Sequence, residues 1–428
     1  MPILAWSVAV QAQISLTGQY IPRPELRHGY KSLASSSQDP AFFVSQRTRL
    51  VFTYATSKYK FGVSAQDIRT WGSQSQLNKS DNLLSMHEAW GQVFFKNNLS
   101  LKIGRQELVY DDHRIFGNVD WTMQGRSHDL VLFKYAGKKL QLDVGAAYNQ
   151  DKEQLDNNIY TVPNNYKTLQ FLWIHKKFSE NLNLSLLFLN NGVQTSSSGP
   201  GGVTEYQTSF SQTSGARLIY GKSRWNFNSS FYFQTGEDGT GKNLSATNFA
   251  ANLAYNGIKK LTFIGGVELL SGTSQTDPSE DKNRSFNPLY GTNHKFNGFM
   301  DYFYVGNHLN TVGLQDISFR TLYKSGKHRM GAQLHFFSSA ANIIDSTEYQ
   351  SSGSIVAKDN YLGTEIDLNY VYVASKQIQL IFGYSQMFGT SSMVEIKGGD
   401  KDASSYWSYI MLKLTPVFVK KEKKKKDD

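Results

Sequence analysis

The chain has 428 residues and no cysteine, which excludes a disulfide framework, thiolate nucleophiles and cysteine-based metal sites. Aromatic residues make up 14%, yet mean hydropathy is −0.44 and no apolar run reaches the roughly 20 residues of a membrane helix. The formal net charge is +10, spread along the chain without any nucleic-acid-binding motif, so no nucleic-acid partner is expected.

The first residues, MPILAWSVAVQAQ, form a short apolar run that closes on an A-x-A-like pattern. We read 1–12 as the remnant of a signal peptide, 13–418 as one body, and 419–428 as a charged disordered tail.

From Ile14 onward the chain repeats one unit: a strand of roughly 10–15 residues, a short polar turn, a second strand and a longer loop. Strands are predicted at 14–28, 41–56, 59–70, 83–95, 99–109, 126–136, 139–150, 167–178 and 182–193. They continue at 205–221, 224–236, 244–255, 260–272, 310–323, 327–338, 358–373, 377–390 and 403–417, and no segment carries a convincing helical period. Short and long connections alternate, as they do between the periplasmic and external rims of an outer-membrane barrel. A soluble sandwich would use shorter strands. A propeller would repeat a blade motif, and none is present. The fold class is therefore all-β, a transmembrane antiparallel up-and-down barrel of about 18 strands. Side chains alternate accordingly: Leu140, Leu142, Val144 and Ala146 share one parity, and Gln141 and Asp143 take the other. Aromatics cluster near strand ends (Phe94, Phe95, Tyr148, Tyr220, Tyr370, Trp407), the placement of an interfacial belt in outer-membrane lipid.

Charged residues within strands identify the lumen face. Arg47 and Arg49 oppose Leu50 and Phe52, and Arg23 shares its parity with Arg27. A guanidinium on the lipid face would cost about 2–4 kcal/mol near the midplane, so these side chains are predicted to face inward. Arg320 ends the fourteenth predicted strand, and Glu365 and Asp367 share a parity on the sixteenth. Asp67 and Arg69 fall on the apolar parity of Phe61 and Val63, which places them at the rim or beside a bulge.

The densest chemistry lies in 99–129, LSLKIGRQELVYDDHRIFGNVDWTMQGRSHD, where both signs of charge interleave with Trp121 and three glycines. Such a run suits a segment folded into the wet lumen of a barrel. Arg105, Arg114 and Arg126 are candidate solute-binding residues with Arg23, Arg27, Arg47, Arg49 and Arg320. Glu88, Glu107, Asp112, Asp120 and Asp129 are candidate constriction or gating partners. Internal ion pairing that merely braces the wall is the competing reading at each position. The 273–309 loop is the longest; its aromatics around His294, Lys295 and Asp301 point to packing over the external mouth. The stretch 194–202, QTSSSGPGG, reads as a flexible external loop.

Several stretches resemble the alginate export family of outer-membrane barrels: QRTRLVFTYATSKYKFGVSAQDIRTWG (46–72), EAWGQVFF (88–95), the 101–129 segment, FNPLYGTNHKFNGFMDYF (286–303) and LGTEIDLNY (362–370). The resemblance implies an eighteen-stranded, porin-like barrel in the Gram-negative outer membrane, with an electropositive lumen that passes an anionic uronate polymer such as alginate.

The functional expectation is transport of an anionic saccharide or other small anionic solute through an Arg/Lys-lined lumen. Its alternatives are a general small-solute porin and a structural or adhesion barrel with a closed lumen. Asp111, Asp112 and His113 imitate an acid/base cluster, but no nucleophile or metal-ligand spacing follows. The chain is therefore expected to be no enzyme, with no catalytic residue, cofactor or metal. A periplasmic scaffold partner, the direction of transport and the oligomeric state are left open by the sequence.

Overall fold

A computed structural model describes residues 12–199, 204–292, 294–304 and 306–420. The wall is built from β1 (Gln13–His28), β2 (Ala41–Ala55), β3 (Tyr59–Thr70), β4 (Leu84–Phe94), β5 (Leu99–Gln106), β6 (His128–Ala136), β7 (Leu140–Tyr148), β8 (Thr168–Lys177) and β9 (Leu182–Ser198). It continues through β10 (Thr204–Lys222), β11 (Trp225–Gly236), β12 (Ala246–Tyr255), β13 (Leu261–Leu270), β14 (Leu314–Ser325), β15 (His328–Ser338), β16 (Tyr361–Val373), β17 (Ile378–Gly389) and β18 (Ser405–Leu414). A short β19 (Val417–Lys420) prolongs β18 beyond Thr415-Pro416.

Each strand pairs antiparallel with its sequence neighbours, and β1 closes the cylinder against both β18 and β19. Closure leaves no unpaired edge, the condition for a sheet to cross a bilayer. Proline lacks the N–H a ladder needs, which is why the last stave is interrupted at Pro416 and its register against β1 shifts between Leu16 and Thr17. Since Val419 and Lys420 are strand residues, the start expected for the tail at 419 is corrected. The signal-peptide expectation for 1–12 and the rest of the tail lie outside the described residues, apart from Ala12.

The alternation sorts the two faces. Leu50, Phe52, Phe61, Val93, Ile103, Val131, Phe133, Val144, Phe188, Phe231 and Phe319 are exposed on the outside. A soluble monomer does not carry so extensive an apolar band, whereas lipid covers it. Inside, Arg23, Glu25, Arg47, Arg49, Asp143, Glu268, Asp316, His335, Glu365 and Asp367 are buried.

The predicted alternation of connections holds. Short turns lie at one rim, and the long connections at the other carry α1 (Ser346–Ser352) and α2 (Ser391–Lys397). The predicted loop at 194–202 is corrected in part, because β9 runs on to Ser198 and β10 begins at Thr204. Asp67 and Arg69 keep the outward parity at the rim and bond each other, with Nε of Arg69 2.7 Å from Oδ1 of Asp67. The bulge lies one strand away: the β3–β4 register slips between Ser64 and Ala65 and leaves His87 as the extra residue. This turns both His87 and Glu88 inward.

Candidate functional site

Two long connections, 107–127 after β5 and 271–313 after β13, fold into the lumen and form one septum. The expectation that the second loop packs over the external mouth is thereby corrected. The backbones are knitted together: Phe116 bridges Tyr290, the Gly117 N–H donates to the Tyr290 carbonyl at 2.9 Å, and Thr292 N–H donates to the His113 carbonyl at 2.8 Å. Side chains complete the seam. Arg126 donates to the Gly291 carbonyl at 2.9 Å, and Trp121 stacks on His294 with ring centroids 4.2 Å apart. Leu108, Ile115, Phe116 and Val119 from one loop and Phe286, Met300, Tyr302 and Phe303 from the other are buried. Each such side chain contributes roughly 1.5–3 kcal/mol, so the apolar residues interleaved with the charges are what hold the septum together.

The wall receives the septum differently on three sides. Along β1–β3 it is basic. Arg23 donates to the Trp121 carbonyl at 2.8 Å; Arg47 donates to the Met123 carbonyl at 3.2 Å and to Oδ1 of Asp120 at 2.8 Å. Arg49 is fixed by Gln66 at 2.8 Å and reaches the Gln124 carbonyl at 3.5 Å. Along β13–β16 the wall is acidic. Glu365 accepts the backbone N–H groups of Phe299 at 2.6 Å and Met300 at 2.8 Å. Gly298 has φ +82°, and a Cβ there would lie 2.6 Å from the Glu365 carboxylate, so the approach requires glycine. Asn297 donates to Glu268 at 3.0 Å and to Asp316 at 3.1 Å, and His335 donates to Asp316 at 3.0 Å.

Along β6–β9 the contact is largely apolar, with Leu130, Leu132, Phe171, Trp173 and Leu189 buried among the inward side chains. Polar tethers punctuate it: Tyr110 to Asp143 at 2.7 Å and Trp173 to Asp111 at 3.1 Å.

Polar recesses remain on both sides of the septum. The external one, about 620 Å³, is lined by Arg23, Glu25, Arg27, Lys31, Trp121 and Asp301 among others. Burial would raise the Asp301 carboxyl, but His294, Tyr30 and Lys31 outweigh it and hold the group below the usual carboxylate range. A second recess, about 210 Å³, lies between the septum and the inner wall of β10–β14 and runs toward the short-turn rim.

The structure places the predicted residues unevenly. Arg23, Arg47, Arg49, Arg114 and Arg126 meet at the septum, with Glu107, Asp112 and Asp120. Arg114 pairs with Glu268 at 2.5 Å, and Glu107 accepts from His87 at 2.7 Å. Glu88 faces the lumen at the root of the first loop and accepts the Glu107 N–H at 3.2 Å. Arg27 pairs with Glu25 at 2.7 Å in the external recess, and Arg320 lines the lower one.

Arg105 and Asp129 do not belong to a constriction. They sit directly opposite each other on β5 and β6, on the outward parity of Ile103 and Val131, and form an exposed 2.8 Å pair. The parity of Leu101, Ile103 and Arg105 in the sequence already carried that signal. Arg217, Glu268, Asp316, His335 and Lys413 were missed, although a charged residue within a membrane-barrel strand is itself a lumen marker. Arg217 bonds Asp112 at 3.0 Å, and Lys413 faces inward beside Arg47 and Met411.

The fold is shared with outer-membrane porins of known structure. Pseudomonas aeruginosa OpdQ superposes with a TM-score of 0.58 at 13% identity, covering 95% of this chain and 98% of that one. Acinetobacter baumannii OccAB4 gives 0.62 at 11% identity over 96% and 99%. Pseudomonas aeruginosa OpdO gives 0.60 at 12% over 96% and 98%. No curated protein matches the sequence. The family model described as Alginate export matches residues 32–389, most of the barrel and both septum loops. The chain belongs to the alginate export family of Gram-negative outer-membrane barrels.

Proposed function

We propose that this outer-membrane channel passes anionic solutes, with carboxylated saccharides as the favoured class. One observation carries the reading: most lumen carboxylates pair with a cation or histidine, while several lumen cations have no salt bridge. Glu25, Glu107, Asp112, Asp120, Asp143, Glu268 and Asp316 each pair with a cation or histidine, and Glu365 takes two backbone N–H groups. Among the described residues, Lys60, Lys102, Lys295, Arg320 and Lys413 have no salt bridge. Lys60 and Lys102 lie over the Trp90 ring at 5.4 and 3.9 Å, a contact that leaves the charge unneutralised. The surplus positive potential in a low-dielectric tube concentrates anions and repels cations.

On this reading the septum arginines are chiefly structural and the free cations do the attracting. Planar-bilayer recordings across a salt gradient test it. The reversal potential should report anion preference, reduced in Arg320→Gln and Lys413→Gln. Cation preference in the wild-type channel would refute the proposal and leave a general porin. Absence of any steady conductance would favour a closed structural barrel.

A further inference from the structure

The lipid face has a depression beside the short-turn rim. On β2, β3 and β4 the outward side chains Phe52, Tyr54, Phe61 and Val93 surround Gly91 and outline an apolar groove of about 580 Å³. A Cβ on Gly91 would meet no atom outside its chain neighbours within 4 Å, so the groove is open at its centre. Phe61 stands directly opposite Gly91. At the rim end Tyr54 and Tyr59 stack, with ring centroids 5.9 Å apart. Tyrosines so placed lie at the depth of lipid headgroups.

The rim beside this groove is basic. Lys58 lies in the β2–β3 turn, Lys96 in the β4–β5 turn, and Lys138 and Lys139 in the β6–β7 turn, all exposed. The three turns are neighbours in space: the Phe94 N–H donates to the Lys58 carbonyl at 2.8 Å, and the Ala136 N–H to the Asn98 carbonyl at 3.0 Å. None of 55–61, 89–101 and 135–142 contains a carboxylate side chain. Among the described residues none of these four lysines has a salt bridge. The lipid face of the opposite rim is built otherwise, for Arg69 pairs with Asp67 and Arg105 with Asp129. Outward cations are thus neutralised by protein on the external side and left to a partner here.

We propose that this face is a binding site for an anionic phospholipid of the inner leaflet. Lys58 and Lys96 receive the phosphate, and Lys138 and Lys139 widen the positive field. One acyl chain lies in the groove over Gly91. Lysine stems run along apolar surface while the ammonium stays in the headgroup layer. A basic rim alone would attract any anion, and an apolar groove alone would accept any lipid. Side by side they select a lipid with net negative charge. The site lies outside the lumen and is independent of what the channel conducts.

Bromolipid quenching of the full-length barrel in vesicles tests the site. The chain has no cysteine, so Phe95→Cys takes a single pyrene label beside Lys96. Brominated phosphatidylglycerol, mixed at equal mole fraction with unlabelled lipid, should quench the label more strongly than brominated phosphatidylcholine. Lys58→Gln and Lys96→Gln should each lower that preference about fivefold, the worth of one lysine at an anionic surface. Gly91→Phe fills the groove without touching a charge, and should reduce quenching by both lipids while keeping their ratio. Lys222→Gln, on a distant short turn, should change nothing. The lysine variants break no salt bridge, and heat-modifiable electrophoretic mobility verifies that each barrel is folded. Equal quenching by the two lipids, or a preference that survives in the Lys58→Gln/Lys96→Gln double variant, overturns the proposal. So does quenching undiminished in Gly91→Phe, or pyrene excimer emission showing that a second barrel covers the groove.

Discussion

The β1–β3 and β13–β16 walls hold the same septum by opposite means. On the first, arginines Arg23, Arg47 and Arg49 donate to the carbonyls of Trp121 to Gln124. On the second, the Glu365 carboxylate accepts the N–H groups of Phe299 and Met300, and Glu268 and Asp316 accept from Asn297. The difference is asymmetric in cost. A carbonyl has two lone pairs and tolerates a lost partner, whereas an orphaned buried N–H is rare in native structures. Lumen arginines that look like a ladder for anions are therefore substantially committed to bracing, and the acidic wall is the less replaceable anchor.

The sharpest way to break the comparison is to remove what both walls hold. Replacing 111–125 by a short Gly/Ser link should raise single-channel conductance several-fold, by roughly the ratio of open to obstructed cross-section. An unchanged conductance would mean that the septum does not limit the pore.

Glu365→Ala comes next. It strands two buried N–H groups at about 1–3 kcal/mol each, and should loosen 297–300, seen as accelerated amide exchange at Phe299 and Met300 and as noisier open-channel current. Arg47→Ala should cost less, about 1–2 kcal/mol, since the freed carbonyls keep other partners or water and Asp120 is 39% exposed. If the arginine variant proved the more damaging by thermal unfolding, the asymmetry would be wrong.

A control outside both anchors lies on the external cap. Lys397, in α2, donates to the Asn307 carbonyl at 2.7 Å, and burial pushes its pKa down to about 7 from 10.5. A cation with a lowered folded-state pKa binds fewer protons when folded. Docking of α2 should therefore strengthen as pH rises from 7 toward 10.5, and Lys397→Met should abolish that dependence in hydrogen exchange of the α2 amides. The smallest effect is expected at Arg105→Ala, which loses an exposed pair worth about 0–1 kcal/mol and should alter neither conductance nor selectivity.

Particular residues show how far the sequence could be read. Strand positions were legible because a residue facing lipid and one facing water differ by kilocalories, so period-two alternation is enforced almost everywhere. The inward placement of Arg47 and Arg49 followed from that parity, and so should the outward placement of Arg105 have done. Arg105 adjoins a charged loop in sequence, but its outward strand parity separates it from that loop in space. The bulge at His87 was invisible, since one extra residue in a strand leaves no compositional mark.

What the sequence by itself determined is a closed eighteen-stave barrel in lipid, its two faces and its two unlike rims. These depend on solvent, which acts on each residue locally. What only the tertiary structure decided is where the long loops go and which charges remain free. Whether Lys295 or Arg320 has a counterion depends on Asp112, Glu268 and Asp316, which lie on different elements and are gathered only when both loops dock. Pairing of charges across a lumen is a property of distance in space, and no periodicity along the chain records it.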